Sequence, residues 1–260
     1  MLSINNDFFG YHPLEHNVEF SGSDSLETYE NNLKTKPDDW YYRTNQISYV
    51  RNKNGHRCKN IEDIDLDNYI LFTGCSHAEG IGLKLEDTYP YLLSQKMNCD
   101  YYNLGIGGTG IDVLNYNIVT WFAKVKKPPK LLVVQWPNRV RMILENYPKH
   151  KIEYTQHGVW SSFFEGIGEF LVLGEKINFF KTTKTLTKNI IHTIATCPII
   201  EVNPPSNGFS DGFSDDDLKF VQTDYARDHT KTQVQGHMGV ESQKINTEML
   251  YKEAIKLINT

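Results

Sequence analysis

The sequence predicts an α/β protein: a three-layer α/β/α sandwich on a parallel, flavodoxin-like sheet, preceded by an irregular N-terminal extension. Two observations predict it. From residue 69 onward, short apolar runs alternate with segments of helical period. Strands that alternate with helices pair in parallel and need helices on both faces. Residues 1–66 show neither period but hold many aromatics, including Trp40-Tyr41-Tyr42. That composition suits a cap packed on the main domain, since a linker would be poor in aromatics. The expected division is therefore a cap over 1–66 and an α/β domain over 67–260.

The elements follow in order. Tyr69-Ile70-Leu71-Phe72-Thr73 is a continuous apolar run closed by Gly74, the pattern of a strand buried on both faces. Asp87-Thr88 can cap a helix to about Met97, with Pro90 in its first turn. Tyr101 to Leu104 reads as the second strand. Ile111, Leu114, Ile118, Trp121, Phe122 and Val125 recur at helical spacing until Pro128-Pro129 stops the helix. Leu131 to Trp136 is the third strand. A helical insertion is expected over about 145–195, and Cys197 to Val202 is the fourth strand. A loop rich in Pro, Asn, Gly, Ser and Asp runs through Asp217. A last helix starts near Gly239, with Leu250, Ala254, Leu257 and Ile258 on one side.

Composition narrows the function. With 260 residues, 39% hydrophobic and 23% charged, the chain can bury a core without disulfide or metal staples. Lys and Arg number 27 and Asp and Glu 32, a net charge of −5. That balance argues against nucleic-acid or membrane-surface partners, which require a cationic face. Cys58, Cys75, Cys99 and Cys197 form no CxxC pair, so neither a zinc ribbon nor a disulfide scaffold is expected. No signal peptide profile opens the sequence, and no apolar run reaches 18 residues. The expectation is a soluble protein in a reducing, cytoplasmic setting.

Four groups of residues are candidates for chemistry. Ser76, in Gly74-Cys75-Ser76-His77-Ala78-Glu79-Gly80, lies where a strand turns into a helix. Such a turn exposes the Oγ beside backbone N–H groups, which suits a nucleophile and equally suits a helix N-cap. Gly105, Gly107 and Gly110 match G-x-G-x-x-G between a strand and a helix. No Asp or Glu follows from Val113 through Leu144 to hold a ribose, so nucleotide binding is disfavoured and oxyanion recognition by backbone N–H groups preferred. Asp224, Asp228, His229 and His237 place carboxylates and imidazoles before the last helix, where a general base could sit. His12-Pro13-Leu14-Glu15-His16 matches H-x-x-E-H, but Pro13 breaks the helix that this zinc pattern needs.

Together these segments resemble the SGNH/GDSL hydrolases over roughly residues 68 to 258. Phe72-Thr73-Gly74-Cys75-Ser76 is similar to the block that carries the nucleophile. Asn103-Leu104-Gly105-Ile106-Gly107-Gly108 is similar to the second block, and Asn138, or alternatively Gln135, to the third. His237 in Gly236-His237-Met238-Gly239 is similar to the last. The resemblance implies Ser76 as nucleophile and His237 as base. It further implies an oxyanion hole of the Ser76 N–H, the Gly108 N–H and the Asn138 amide. It implies no metal or organic cofactor. The family places its Asp three residues before its His, and Val234 stands there. Asp228 is the nearest suitable acid; otherwise a Ser-His dyad or His229 must serve.

The implied reaction is hydrolysis of a carboxylic ester through an acyl-enzyme, on a small-molecule or carbohydrate ester such as an O-acylated glycan. The displaced acid keeps open a second reading, a non-catalytic glycan-binding or structural protein on the same scaffold.

Overall fold

A computed structural model describes residues 2–137, 141–146, 153–158, 173, 179–205, 218–230 and 236–259. The main sheet is parallel. Its strands are β5 (Tyr69–Thr73), β6 (Asp100–Asn103), β7 (Leu131–Gln135) and β10 (Ile199–Val202), in the order β10-β7-β5-β6. Every residue of β5 and β7 is buried. This is why both runs read as continuous apolar sequence rather than as an alternation. Ile70 and Phe72 of β5 align with Leu131 and Val133 of β7.

The helices are α1 (Leu26–Thr35), α2 (Ser76–Glu79), α3 (Tyr89–Lys96), α4 (Ile111–Lys124), α5 (Phe179–Ile194) and α6 (Val240–Ile258). Helix α3 packs against α6, and α4 against α5. The path from β5 to β6 runs one way along the sheet, and the path from β6 through β7 to β10 runs back. Right-handed crossovers then place the two helix pairs on opposite faces. The reversal lies between β5 and β7, so the loops at their carboxyl ends diverge and leave a crevice. Trp121 on α4 shows how the helical repeat meets the sheet. It is fully buried, with its ring centroid 4.5 Å from that of Tyr102 and its Nε1 donating to Tyr69 Oη at 3.2 Å.

The N-terminal residues are more regular than the sequence suggested. Strands β1 (Leu2–Asn5) and β2 (Phe8–Tyr11) form a hairpin around Asn6 and Asp7, whose φ angles are 49° and 74°. Two positive φ values suit a two-residue hairpin turn, and Asn and Asp adopt them readily. The hairpin continues through β9 (Glu153–Gly158) and β8 (Arg141–Asn146) as a second, antiparallel sheet. Strand β9 and helix α5 therefore both fall within the segment expected to be a helical insertion. Helix α1 begins at Ser25, whose Oγ accepts the Thr28 N–H at 3.2 Å. A short ribbon pairs β3 (Asn17–Val18) with β4 (Tyr49–Val50).

What attaches this segment is mostly polar. Arg57 is 1% exposed, and its guanidinium donates to the carbonyls of Glu79, Gly80, Ser48 and Leu83. Arg51, equally buried, pairs with Glu79 at 3.0 Å. Apolar contact adds to this: Phe8 enters the main core, and Tyr42, Ile47 and Tyr49 pack with Ile81, Leu83 and Ala226.

Candidate active site

The site starts from the end of β5. Gly74 has φ 156°, and a Cβ there would lie 2.5 Å from Gln135 Oε1. Only glycine fits such an approach. The same Oε1 accepts the Cys75 N–H at 3.0 Å, while the Gln135 amide donates to the Trp136 carbonyl. Gln135 is thus fully buried between two strand ends, bracing the turn from below. Its alternative role as an oxyanion donor finds no support in this placement. Ser76 opens α2 and is 6% exposed.

The loop after β6 lies against this turn. Asn103 Nδ2 donates to the Ala78 carbonyl at 2.7 Å, and its Oδ1 accepts the Gly105 N–H at 2.9 Å. Glu79 Oε2 accepts both the Gly107 N–H at 2.6 Å and the Tyr11 hydroxyl at 2.9 Å. These bonds set the position of Gly108, whose φ of 76° is a left-handed conformation that glycine takes without strain. Two of the glycines that match a dinucleotide pattern, Gly105 and Gly107, are therefore tied to α2 through Asn103 and Glu79, and the third, Gly110, caps α4. Asn138 lies outside the described residues.

His237 arrives from the far end of the chain. A bridge between Tyr225 and Met238, with the Ala226 N–H donating to the His237 carbonyl at 2.9 Å, folds the segment before α6 back on itself. This brings Asp228 Oδ2 to 2.6 Å from His237 Nδ1, although nine residues separate them in sequence. Burial acts to raise the Asp228 carboxyl. Attraction to His237, with hydrogen bonds from His237 and Ser23, outweighs it and holds the group below the usual carboxylate range. His229 is placed elsewhere, stacked on Tyr225 with ring centroids 3.7 Å apart. The ring of His77 meets that of His237 edge-on at 5.2 Å. Burial, aided by the charges of His237 and Arg141, pushes the His77 imidazole well below its ordinary value.

Ser76, Gly107, Gly108 and His237 line one cleft of about 700 Å³, with Arg141 and the N-terminal Tyr11, Glu15, Val18, Phe20 and Ser21–Ser23. Small-molecule sites run from about 300 to 1,000 Å³. Sequence reasoning missed the N-terminal wall. The one local signal for it was the Asp24-Ser25 cap of α1, which marks a turn but not its partner. Among the described residues no group of three or more His, Cys, Asp and Glu is placed to hold a metal ion. His12 instead caps a short 3-10 turn at Pro13–Glu15, where its Nδ1 accepts the Leu14 N–H at 3.2 Å. No described helix is long and apolar enough to cross a membrane.

No family model and no curated relative matches the chain. In fold it is similar to several solved structures. One is a carbohydrate esterase family 2 enzyme with a carbohydrate-binding domain from Corynascus thermopiles (Myceliophthora fergusii). It is 11% identical with a TM-score of 0.45, over 74% of this chain and 67% of that one. A second is a family two carbohydrate esterase from Clostridium thermocellum in complex with cellohexaose. It is 13% identical with a TM-score of 0.44, over 72% of this chain, which spans 63% of that protein. A third is a lipolytic protein of the G-D-S-L family from Desulfitobacterium hafniense, 13% identical with a TM-score of 0.42, over 71% of this chain and 98% of that one.

Proposed function

We propose that this protein hydrolyses a carboxylic ester through an acyl-enzyme on Ser76. One observation carries the reading: the buried Asp228 carboxylate faces His237 Nδ1 at 2.6 Å, on the wall of the cleft that Ser76 also lines. An imidazole held by a carboxylate at Nδ1 presents Nε2 as a base. His237 takes the proton of Ser76 Oγ as that oxygen attacks the ester carbonyl. Asp228 keeps the tautomer and stabilises the imidazolium. The Ser76 and Gly108 N–H groups, with the Asn138 amide, receive the developing oxyanion. Each such donor contributes on the order of 10²–10³ in rate. His237 then protonates the leaving alcohol, and water releases the acid.

The substrate we propose is an O-acyl group on a carbohydrate. Tyr11, Val18, Phe20 and Ile81 make an apolar and aromatic wall, and Glu15 and Ser21 add polar groups. That mixture suits the ring faces and hydroxyls of a sugar.

Ser76→Ala is expected to lower kcat on a short activated ester by about 10³-fold or more, with an unchanged thermal midpoint. A fluorophosphonate should label Ser76 in the wild-type protein. Retained turnover in the variant, or an unlabelled Ser76, would discard the hydrolase and leave the glycan-binding protein as the better reading.

A further inference from the structure

The carboxylate that faces His237 takes a second hydrogen bond from the opposite end of the chain. Ser23 Oγ donates to Asp228 Oδ2 at 2.5 Å. This is the same oxygen that faces His237 Nδ1. Asp228 Oδ1 has no hydrogen-bond partner among the described residues, and the residue is 1% exposed. A buried carboxylate is costly unless donors hold its charge, so both contacts on Oδ2 matter.

Ser23 is itself held in place. Backbone hydrogen bonds in both directions between Ser21 and Asp24 make a tight turn around it. Asp24 accepts from Arg227 Nε at 2.8 Å and Nη2 at 2.6 Å, and from the Tyr49 hydroxyl at 2.5 Å. Arg227 directly precedes Asp228. The turn carrying Ser23 is therefore clamped to the backbone carrying the acid, and Ser23 also lines the cleft.

We infer that Ser23 is a positioning residue, whose hydroxyl holds the Asp228 carboxylate in the orientation that aligns His237. The N-terminal segment then completes the hydrolytic site. The inference rests on the hydrolase reading. The bridge between Tyr225 and Met238 brings Asp228 within reach of His237, and the Ser23 hydroxyl fixes the direction of the carboxylate.

The charged surroundings stay constant when Ser23 changes. Asp228 interacts with His237 and His77 and lies near the Tyr42 phenol and His229. His237 faces Asp228 and the His77 ring, and Arg141 lines the same cleft. By donating to Oδ2, the hydroxyl fixes the direction of the oxygen that faces the imidazole. Without it the carboxylate can turn about its Cβ–Cγ bond, and its hydrogen bond to His237 Nδ1 loses that fixed alignment.

Three variants test this: Ser23→Ala, Ser23→Val and Ser23→Thr. Val and Thr have nearly the same shape and differ in the hydroxyl. Ala and Val should lower kcat by about tenfold, with KM changed less than about twofold. In both, the downfield NMR resonance of the His237 Nδ1 proton, which reports its hydrogen bond to Asp228, should shift or broaden. Thr should keep wild-type values. Equal behaviour of Val and Thr, or an unchanged Nδ1 proton resonance in Ala and Val, would overturn the inference. The Val and Thr pair decides it even where Ala fails to fold. The resonance is read on the resting protein, so it judges Ser23 independently of whether Ser76→Ala abolishes turnover.

Discussion

The parallel sheet and the N-terminal segment hold together by different physics. In β5 and β7 every position is buried, and cohesion comes from apolar area withdrawn from water. In residues 2–66 the buried set includes Asp24, Asn32, Arg51, Asn52, Asn54, His56 and Arg57. Nearly all of these have directed partners. Tyr102 Oη, for example, joins Asn52, Asn54 and His56 at 2.9–3.1 Å. Apolar burial is tolerant of small shifts, whereas a buried polar network is stable only when its members are satisfied. The difference teaches how a site can be divided. The sheet presents Ser76 on a rigid base, and the polar segment fixes the partners of Asp228, Glu79 and the cleft wall.

Three changes would break or sharpen this contrast. The largest effect is expected at Arg57. Arg57→Met keeps much of the volume but removes the side-chain donor from four carbonyls. It should cost about 3–5 kcal/mol by chemical denaturation, since several buried acceptors each lose a hydrogen bond to a charged group. A cost under about 1 kcal/mol would show that the segment is held by its aromatics instead. Leu71→Ala in β5 probes the other kind of cohesion, because Leu71 is 0% exposed within the main core. It should destabilise by about 2–5 kcal/mol through lost transfer energy and a cavity. The denaturant midpoint should fall without a change in the slope m.

The smallest effect is a pH dependence carried by His56. Burial pushes its imidazole down to about 4. The Phe9 carbonyl at 2.8 Å can only accept, so Nε2 carries the proton and Nδ1 accepts from the Tyr102 hydroxyl at 3.0 Å. The neutral form is the one that folds. The stabilisation is present above the unfolded value of about 6.5, and is lost as pH falls through the folded value. Its slope is at most about 1.4 kcal/mol per pH unit. Stability curves between pH 7 and 4 test this, and an NMR titration of His56 near 6.5 in the folded protein would contradict it.

Parts of this were legible from local pattern. The run Tyr69–Thr73 appears as a strand with the expected bounds, and Ile111–Lys124 as a helix ending three residues before the expected stop. Those elements are made by what each side chain does with water, and the pattern shows it. Other local signals were present but weak. Asn6-Asp7 is a hairpin turn between runs of only four residues, and Ser25 caps a helix whose single buried residue is Asn32. With so little apolar periodicity, neither element announces itself.

By itself the sequence determined the order of strands and helices in the parallel-sheet region, the crevice at the carboxyl ends of those strands, and Ser76, Gly108 and His237 as candidates for one site. Tertiary structure decided which acid meets His237, that Gln135 braces the first turn from below, and that Ser23 reaches Asp228 across 205 positions. The reason is range. Burial repeats every two or about 3.6 residues and leaves a trace along the chain. A hydrogen bond requires two atoms to come within about 3 Å, and folding alone sets that distance when the residues are far apart in sequence.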